Sequence, residues 1–303
     1  MTTCDLRAPF PWFGGKSRIA ATVWEALGDV PNYVEPFFGS GAVLLARPHS
    51  PRIETVNDLD GMVSNFWRAV QYSPDAVISA ADRPVNETDL QAITREIAAR
   101  REGLQERLAV NYREHDAEIA GMWCWALCVG VPGNVLKYKP EGTASAHISG
   151  SFAGLGVRRV SDWKSDILAV ANRIRRVRVM RGDWSRAVTF STLFGNRNKL
   201  PVCGVFLDPP YAEGDEDCYQ DNDQTLSASV RDWAIENGGN PQLRIVLCGH
   251  SGEHKMPSSW REVPWRRHGG WSNMTDNENK TRERLWLSPH CEGSRQRSLF
   301  GGA

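Results

Sequence analysis

This chain lacks the features that would place it in or beyond a membrane. It has no run of about 18 apolar residues, so no membrane span is expected. The opening residues, MTTCDLRAPF, hold no apolar core of the secretory kind, and a cytoplasmic protein is expected. Net charge is also missing, because 36 basic residues balance 36 acidic ones. Bulk charge therefore does not advertise a nucleic-acid partner. No internal repeat is evident. Seven cysteines (Cys4, Cys124, Cys128, Cys203, Cys218, Cys248 and Cys291) are scattered, odd in number and never in a Cys-x-x-Cys pair. Buried free thiols are expected rather than disulfides or a metal site. His115, His147 and His268 have no partner at useful metal spacing, so no metal is expected.

What is present is ordinary in bulk and informative in detail. A chain of 303 residues, 41% hydrophobic and 24% charged, can bury a sizeable core in one or two domains. Its charge is uneven. Nine Lys or Arg and three Asp lie between Arg158 and Arg186, whereas Ala212 to Gln224 carries six acidic residues and no basic one. A basic face of that kind can meet phosphates in a neutral molecule. Twelve tryptophans are many for this length, and most are expected to fill the core.

The most informative stretch is VFLDPPYAE, residues 205–213. An apolar run ends in the carboxylate of Asp208. Pro209 and Pro210 cannot continue a strand ladder, so they end it, and Tyr211 follows. Open α/β folds build sites at such strand ends. A second constellation lies upstream. Glu35-Pro36-Phe37-Phe38-Gly39-Ser40-Gly41 follows a predicted strand, Tyr33–Glu35, and opens a helix at Ala42. Gly39 and Gly41 allow a sharp turn and close approach of a ligand. Asp58 ends the next predicted strand, Arg52–Asn57, where a carboxylate can accept both ribose hydroxyls of a nucleoside. The third glycine of a dinucleotide fingerprint would fall at Leu44, so a nucleoside without pyrophosphate fits better. Asp183, in RGDW, ends another short run and can accept from an adenine amine or cap a helix. Trp12 can cover a base, and Lys16 can neutralise a ligand carboxylate.

The rhythm of the chain predicts an α/β sheet in two sequence segments, 1–74 and 171–303, interrupted by a mainly helical module at 75–170. Predicted helices cover Ser17–Leu27 with Ser17 as cap, Gly61–Gln71, Asp89–Glu114, Ala117–Val129, Asp162–Arg173 and Ser227–Ile235. Further strands are expected at Val205–Leu207 and Leu243–Cys248. An antiparallel pair is expected from Glu262–Gly270 and Arg284–Leu287. Pro132–Gly156 reads as a long irregular segment with a basic Lys137-Tyr138-Lys139.

The Asp208 corner suits one kind of chemistry. The lone pair of an exocyclic amine on a base is delocalised into the ring. Acceptors that hold its hydrogens, here the Asp208 carboxylate and the Pro209 carbonyl, make the nitrogen a better nucleophile as charge develops. Tyr211 can stack on an extruded base. His250, at the end of LRIVLCGH, reads as a supporting residue of the same corner.

As a set, PWFGGK (11–16), EPFFGSG (35–41), VNDLDGMVSNFW (56–67), RGDW (181–184) and LDPPY (207–211) resemble the Dam-type, D12-class N6-adenine DNA methyltransferases. The resemblance implies a Rossmann-like sheet using S-adenosylmethionine, with an inserted target-recognition region. It also implies double-stranded DNA as partner, with no membrane and no obligate protein partner. On this likeness Trp12, Lys16, Glu35, Pro36, Phe37, Gly39, Gly41, Asp58 and Asp183 hold the cofactor. Asp208, Pro209, Pro210 and Tyr211 are catalytic. The insert, with WCWALCVGVPGNVLKYKPEG at 123–142, departs from the best-known members and would suit a phage or prophage enzyme acting in a bacterial or infected cell. Lys137, Lys139, Arg158 and Arg159 are candidate DNA contacts on charge alone. Chemistry by itself leaves cytosine N4, RNA adenine and an inactive nucleic-acid-binding homologue open.

Overall fold

The computed structural model describes residues 6–12, 15–111, 113–130, 135, 160–195, 200–211, 224–265 and 283–292. Its strands are β1 (Asn32–Glu35), β2 (Ile53–Asp58), β3 (Arg178–Arg181), β4 (Cys203–Leu207), β5 (Leu243–His250), β6 (Arg261–Pro264) and β7 (Glu283–Leu287). Its helices are α1 (Ala20–Leu27), α2 (Ala42–Leu45), α3 (Gly61–Tyr72), α4 (Pro74–Ala81), α5 (Glu87–Arg101), α6 (Leu104–Val110), α7 (Ala117–Val129), α8 (Val160–Ile174), α9 (Phe190–Phe194) and α10 (Gln224–Asn237). The strands form a mixed sheet in the order β3-β2-β1-β4-β5-β7-β6. This is a Rossmann-like arrangement in which the order reverses between β1 and β4, the usual place for a ligand crevice. Among the described residues no helix is long and apolar enough to cross a membrane.

The chain divides into two compact units. One comprises Met1–Arg18, Phe38–Ala46 and Val56–Arg186. Its helices start where short polar side chains cap them. Asp60 accepts from the Met62 amide at 2.6 Å, Asn86 from Thr88 at 2.8 Å and Asp116 from Ile119 at 2.9 Å. Each bond satisfies an amide that the first helical turn would otherwise leave open. Helix α7 is buried along nearly its whole length, from Ile119 to Val129. A helix apolar on all sides belongs at the centre of a bundle, and α3, α4 and α5 pack around it. Gly121 makes this possible, since a Cβ there would lie 2.4 Å from the Val77 carbonyl oxygen and 2.6 Å from the Ala80 Cβ.

The expectation of one helix over Asp89–Glu114 is corrected. Gly103 takes a left-handed conformation, φ 69°, and separates α5 from α6. The sequence pattern stayed helical across the break because Ala, Arg, Glu and Leu continue on both sides. Helix α4, with Pro74 in its first turn, was not anticipated.

The other unit comprises Ile19–Phe37, Arg47–Thr55 and Ala187–Ala303. Strands β1, β4 and β5 are parallel, with Val34 opposite Val205 and Leu207 opposite Leu247. Buried on both faces, they need helices to cover them, and β4 and β5 read as largely apolar runs. Helix α1 lies close on β4, where a Cβ on Gly204 would be 3.3 Å from the Leu27 side chain. Strand β7 runs antiparallel to both β5 and β6, as expected for the sheet's end. Two buried polar side chains find partners inside the unit. Asn32 donates to the Thr192 and Leu193 carbonyls at 2.8 Å each. Arg47 pairs with Glu54 at 3.1 Å and lies over the Trp24 ring. Ser17 does not cap α1, a second correction. The N-cap is Ile19, without a side-chain bond, because a short 3-10 turn over Lys16–Arg18 precedes the helix.

Candidate active site

The glycine turn is built around Asp58. Gly39 and Gly41 both have positive φ, 47° and 68°, a conformation that side-chain-bearing residues disfavour. There is no room for a side chain either. A Cβ on Gly39 would sit 2.5 Å from the Trp12 ring, and one on Gly41 2.8 Å from the Phe38 ring. The turn is strapped on several sides. The Gly39 amide donates to Asp58 Oδ2 at 2.8 Å, and the Trp67 indole donates to the Gly39 carbonyl at 2.9 Å. The Phe38 amide donates to the Asn57 carbonyl at 3.0 Å.

Asp58 also accepts from the Asp60 amide, at 2.9 Å through Oδ1. Burial, then repulsion from Asp60, raises its pKa from 3.8 to about 7. The amide bonds oppose that rise without cancelling it. Leu59, the next residue, leaves 55% of its surface exposed. Sequence reading passed over this apolar side chain beside a strand-end carboxylate.

Asp183 comes to the same neighbourhood through its backbone. Gly182 donates to the Asp58 carbonyl at 3.1 Å, and Asn57 donates to the Gly182 carbonyl at 2.9 Å. The Asp183 side chain is exposed and accepts from the Ser185 amide at 2.9 Å and from the Ser185 hydroxyl. It thus caps the short turn Trp184–Val188, the second of the two readings its position allowed. Trp12 is partly exposed and packs edge-on against Phe10 and Trp123, with centroids 5.8 and 5.9 Å away. Lys16 is buried.

At the β1/β4 reversal stand Glu35 and Asp208. Glu35 ends β1, is buried, and accepts from the Tyr33 hydroxyl at 2.8 Å. Pro36 is buried and Phe37 partly exposed. Asp208, partly exposed, follows the last residue of β4, with Pro209 buried and Pro210 partly exposed. Tyr211 is buried, and its hydroxyl donates to Glu283 Oε2 at 2.8 Å. Its ring meets the His250 ring edge to face at 4.5 Å. Burial, and next the charge of Asp208, push the Tyr211 phenol well above its ordinary value. Glu283 went unnoticed in the sequence, because a glutamate opening the strand ERLWL gives no sign that it is buried.

Lys137, Lys139, Arg158 and Arg159 lie outside the described residues. The five described cysteines are free and buried. Cys124 and Cys128 both donate to the Pro9 carbonyl, at 3.6 Å each, so their four-residue spacing serves packing. Among the described residues no group of His, Cys, Asp or Glu could hold a metal ion.

A mixed α/β sheet whose order reverses between β1 and β4 is consistent with the Rossmann-like fold of methyltransferases. Residues 12–96 match the family of D12 class N6 adenine-specific DNA methyltransferases. A DNA N-6-adenine-methyltransferase of Escherichia phage P1 is 29% identical over 77 residues, which is 25% of this chain and 10% of that protein. The chain therefore spans only about a tenth of the length of that relative. Both comparisons are likenesses to N6-adenine DNA methyltransferases over a part of the chain.

Proposed function

We propose that this protein transfers a methyl group from S-adenosylmethionine to the exocyclic N6 amine of an adenine in double-stranded DNA. The observation that carries the reading is the position of Asp208. It leaves β4 at the strand-order reversal and is followed by two prolines and an anchored tyrosine.

The residues fit the cofactor. Asp58 is a carboxylate whose ionised form is under-solvated, and two ribose hydroxyls would supply the missing donors. Leu59 offers exposed apolar surface beside it. In this reading Asp58 holds the ribose, and the turn at Phe37, Gly39 and Gly41 faces the methionine part with Glu35, Pro36 and Lys16. Trp12 and Asp183 attend the adenine. Bound S-adenosylmethionine supplies an electrophilic sulfonium methyl.

The Asp208 carboxylate and the Pro209 carbonyl accept the two hydrogens of the target amine. They draw its nitrogen out of conjugation and stabilise the positive charge that grows on it. Nitrogen forms a bond to the methyl carbon as the carbon–sulfur bond breaks, and the surplus proton leaves through Asp208 to solvent. Pro210 holds the corner rigid, and Tyr211 offers a ring for the extruded base. Residues 75–170 form the target-recognition module of a catalytic domain at 1–74 and 171–303. Lys137, Lys139, Arg158 and Arg159 serve as its phosphate or base contacts. The enzyme acts where DNA is, in the cytoplasm of a bacterial or phage-infected cell.

The test is transfer of a radiolabelled methyl to unmodified genomic DNA, followed by digestion to identify the modified base. N6-methyladenine is expected. Substitution Asp208→Ala should lower the rate by about 10²- to 10³-fold while cofactor affinity stays near wild type. Equal loss of cofactor binding would show that Asp208 is a binding residue instead. Cofactor binding without transfer to any DNA would refute the activity.

A further inference from the structure

Strands β5 and β7 place His250 directly opposite Glu283. Both touch Tyr211, the histidine through its ring and the glutamate through a 2.8 Å hydrogen bond from the phenol. Tyr211 is 4% exposed and Glu283 1%. A carboxylate so deeply buried is costly unless a donor meets it, and Tyr211 supplies one. The arrangement spends a buried acid on the far end of a ring whose near end leaves the Asp-Pro-Pro corner.

A tyrosine has two side-chain torsions. Fixing the phenol oxygen as well as the Cα removes the swing of the ring about the first; the oxygen lies on the axis of the second, so the plane of the ring is left to the His250 contact. His250 then closes one side of the ring, so the remaining surface is defined by default. Preorganised groups of this kind act through geometry rather than contact with the reacting atoms.

We propose that Glu283 is a positioning residue for methyl transfer. It fixes the position of the Tyr211 ring that receives the extruded base. This rests on the methyltransferase reading above. Glu283 reaches the chemistry only through Tyr211, so its effect should depend on the tyrosine hydroxyl.

The experiment compares wild type, Tyr211→Phe, Glu283→Ala, the double variant and Glu283→Gln in steady-state methyl transfer to unmodified genomic DNA. Tyr211→Phe and Glu283→Ala should each lower kcat about tenfold, with KM for S-adenosylmethionine within about twofold of wild type. The double variant should be no slower than either single one, because both remove the same bond. Glu283→Gln keeps an acceptor oxygen and should recover most of the lost rate. Multiplying losses in the double variant, or a loss confined to cofactor KM, would overturn the proposal. Should Glu283→Ala fail to fold, Tyr211→Phe keeps the ring, and an unchanged kcat in it would overturn the proposal as well. A wild type that transfers no methyl to any DNA sinks the parent reading and this role with it. An active wild type with an equally active Tyr211→Phe sinks this role alone.

Discussion

Asp58 holds an acid where ionisation is unfavourable, and that should be visible in the stability of the ligand-free protein. Burial and the neighbouring Asp60 raise its pKa from 3.8 to about 7. Asp60 is itself raised, first by burial. A rise of roughly three pH units corresponds to about 4 kcal/mol between the protonation states. Asp58 keeps a minor part of its surface in solvent, and screening brings the figure to about 2 kcal/mol.

The direction follows from which state holds the proton. The folded protein binds it more tightly than the unfolded chain, so the contribution to stability is complete below about pH 4. It is lost as the pH rises through about 7, the folded value. Between pH 5 and pH 8 about two-thirds of it disappears, a fall of roughly 3–5 °C in Tm for a protein of this size. Asp58→Asn removes the titration and the repulsion from Asp60 together. Thermal melts by circular dichroism across this range should therefore show the variant gaining on wild type steadily as pH rises. Parallel profiles for the two proteins would refute the argument, because other titrating groups are common to both.

The same carboxylate predicts how a nucleoside cofactor binds. Diol hydrogen bonds favour the ionised form, so affinity for S-adenosylhomocysteine should rise about tenfold per pH unit up to about pH 7 and level off above it. A flat profile by titration calorimetry would remove Asp58 from the ribose site. In the helical unit, Gly121→Ala adds a methyl 2.4 Å from the Val77 carbonyl oxygen. Denaturant unfolding should show a loss of about 1–3 kcal/mol, and an unchanged midpoint would mean that α4 and α7 part at no cost.

The functional corners were legible because they break the pattern around them. Two prolines after a buried run, and two glycines after another, interrupt the period of two at points where the backbone must turn. Strands β4 and β5 were legible for the complementary reason, since apolar runs of their length have few other uses. The misses have physical causes too. Gly103 breaks a helix through its φ angle, which composition does not encode. Ser17 has the right chemistry for a cap, but the chain enters the helix through a tighter turn and the cap falls on Ile19. Glu283 meets a partner 72 residues away, and only the fold brings the two together.

The packing of Trp12 bears on how such enzymes diversify. Trp12 and Phe10 rest on Trp123, at 5.9 and 4.8 Å, and Trp123 belongs to α7. Phe66 of α3 joins the same cluster, 5.0 Å from Phe10. The tryptophan beside the glycine turn thus shares its wall with a helix that the linear order assigns to the insert. A chimera that exchanged residues 75–170 for those of a relative would trade away part of that wall. Exchange of that segment is therefore constrained from within. Position 123 must keep a large flat side chain or leave Phe10 and Trp12 without their partner.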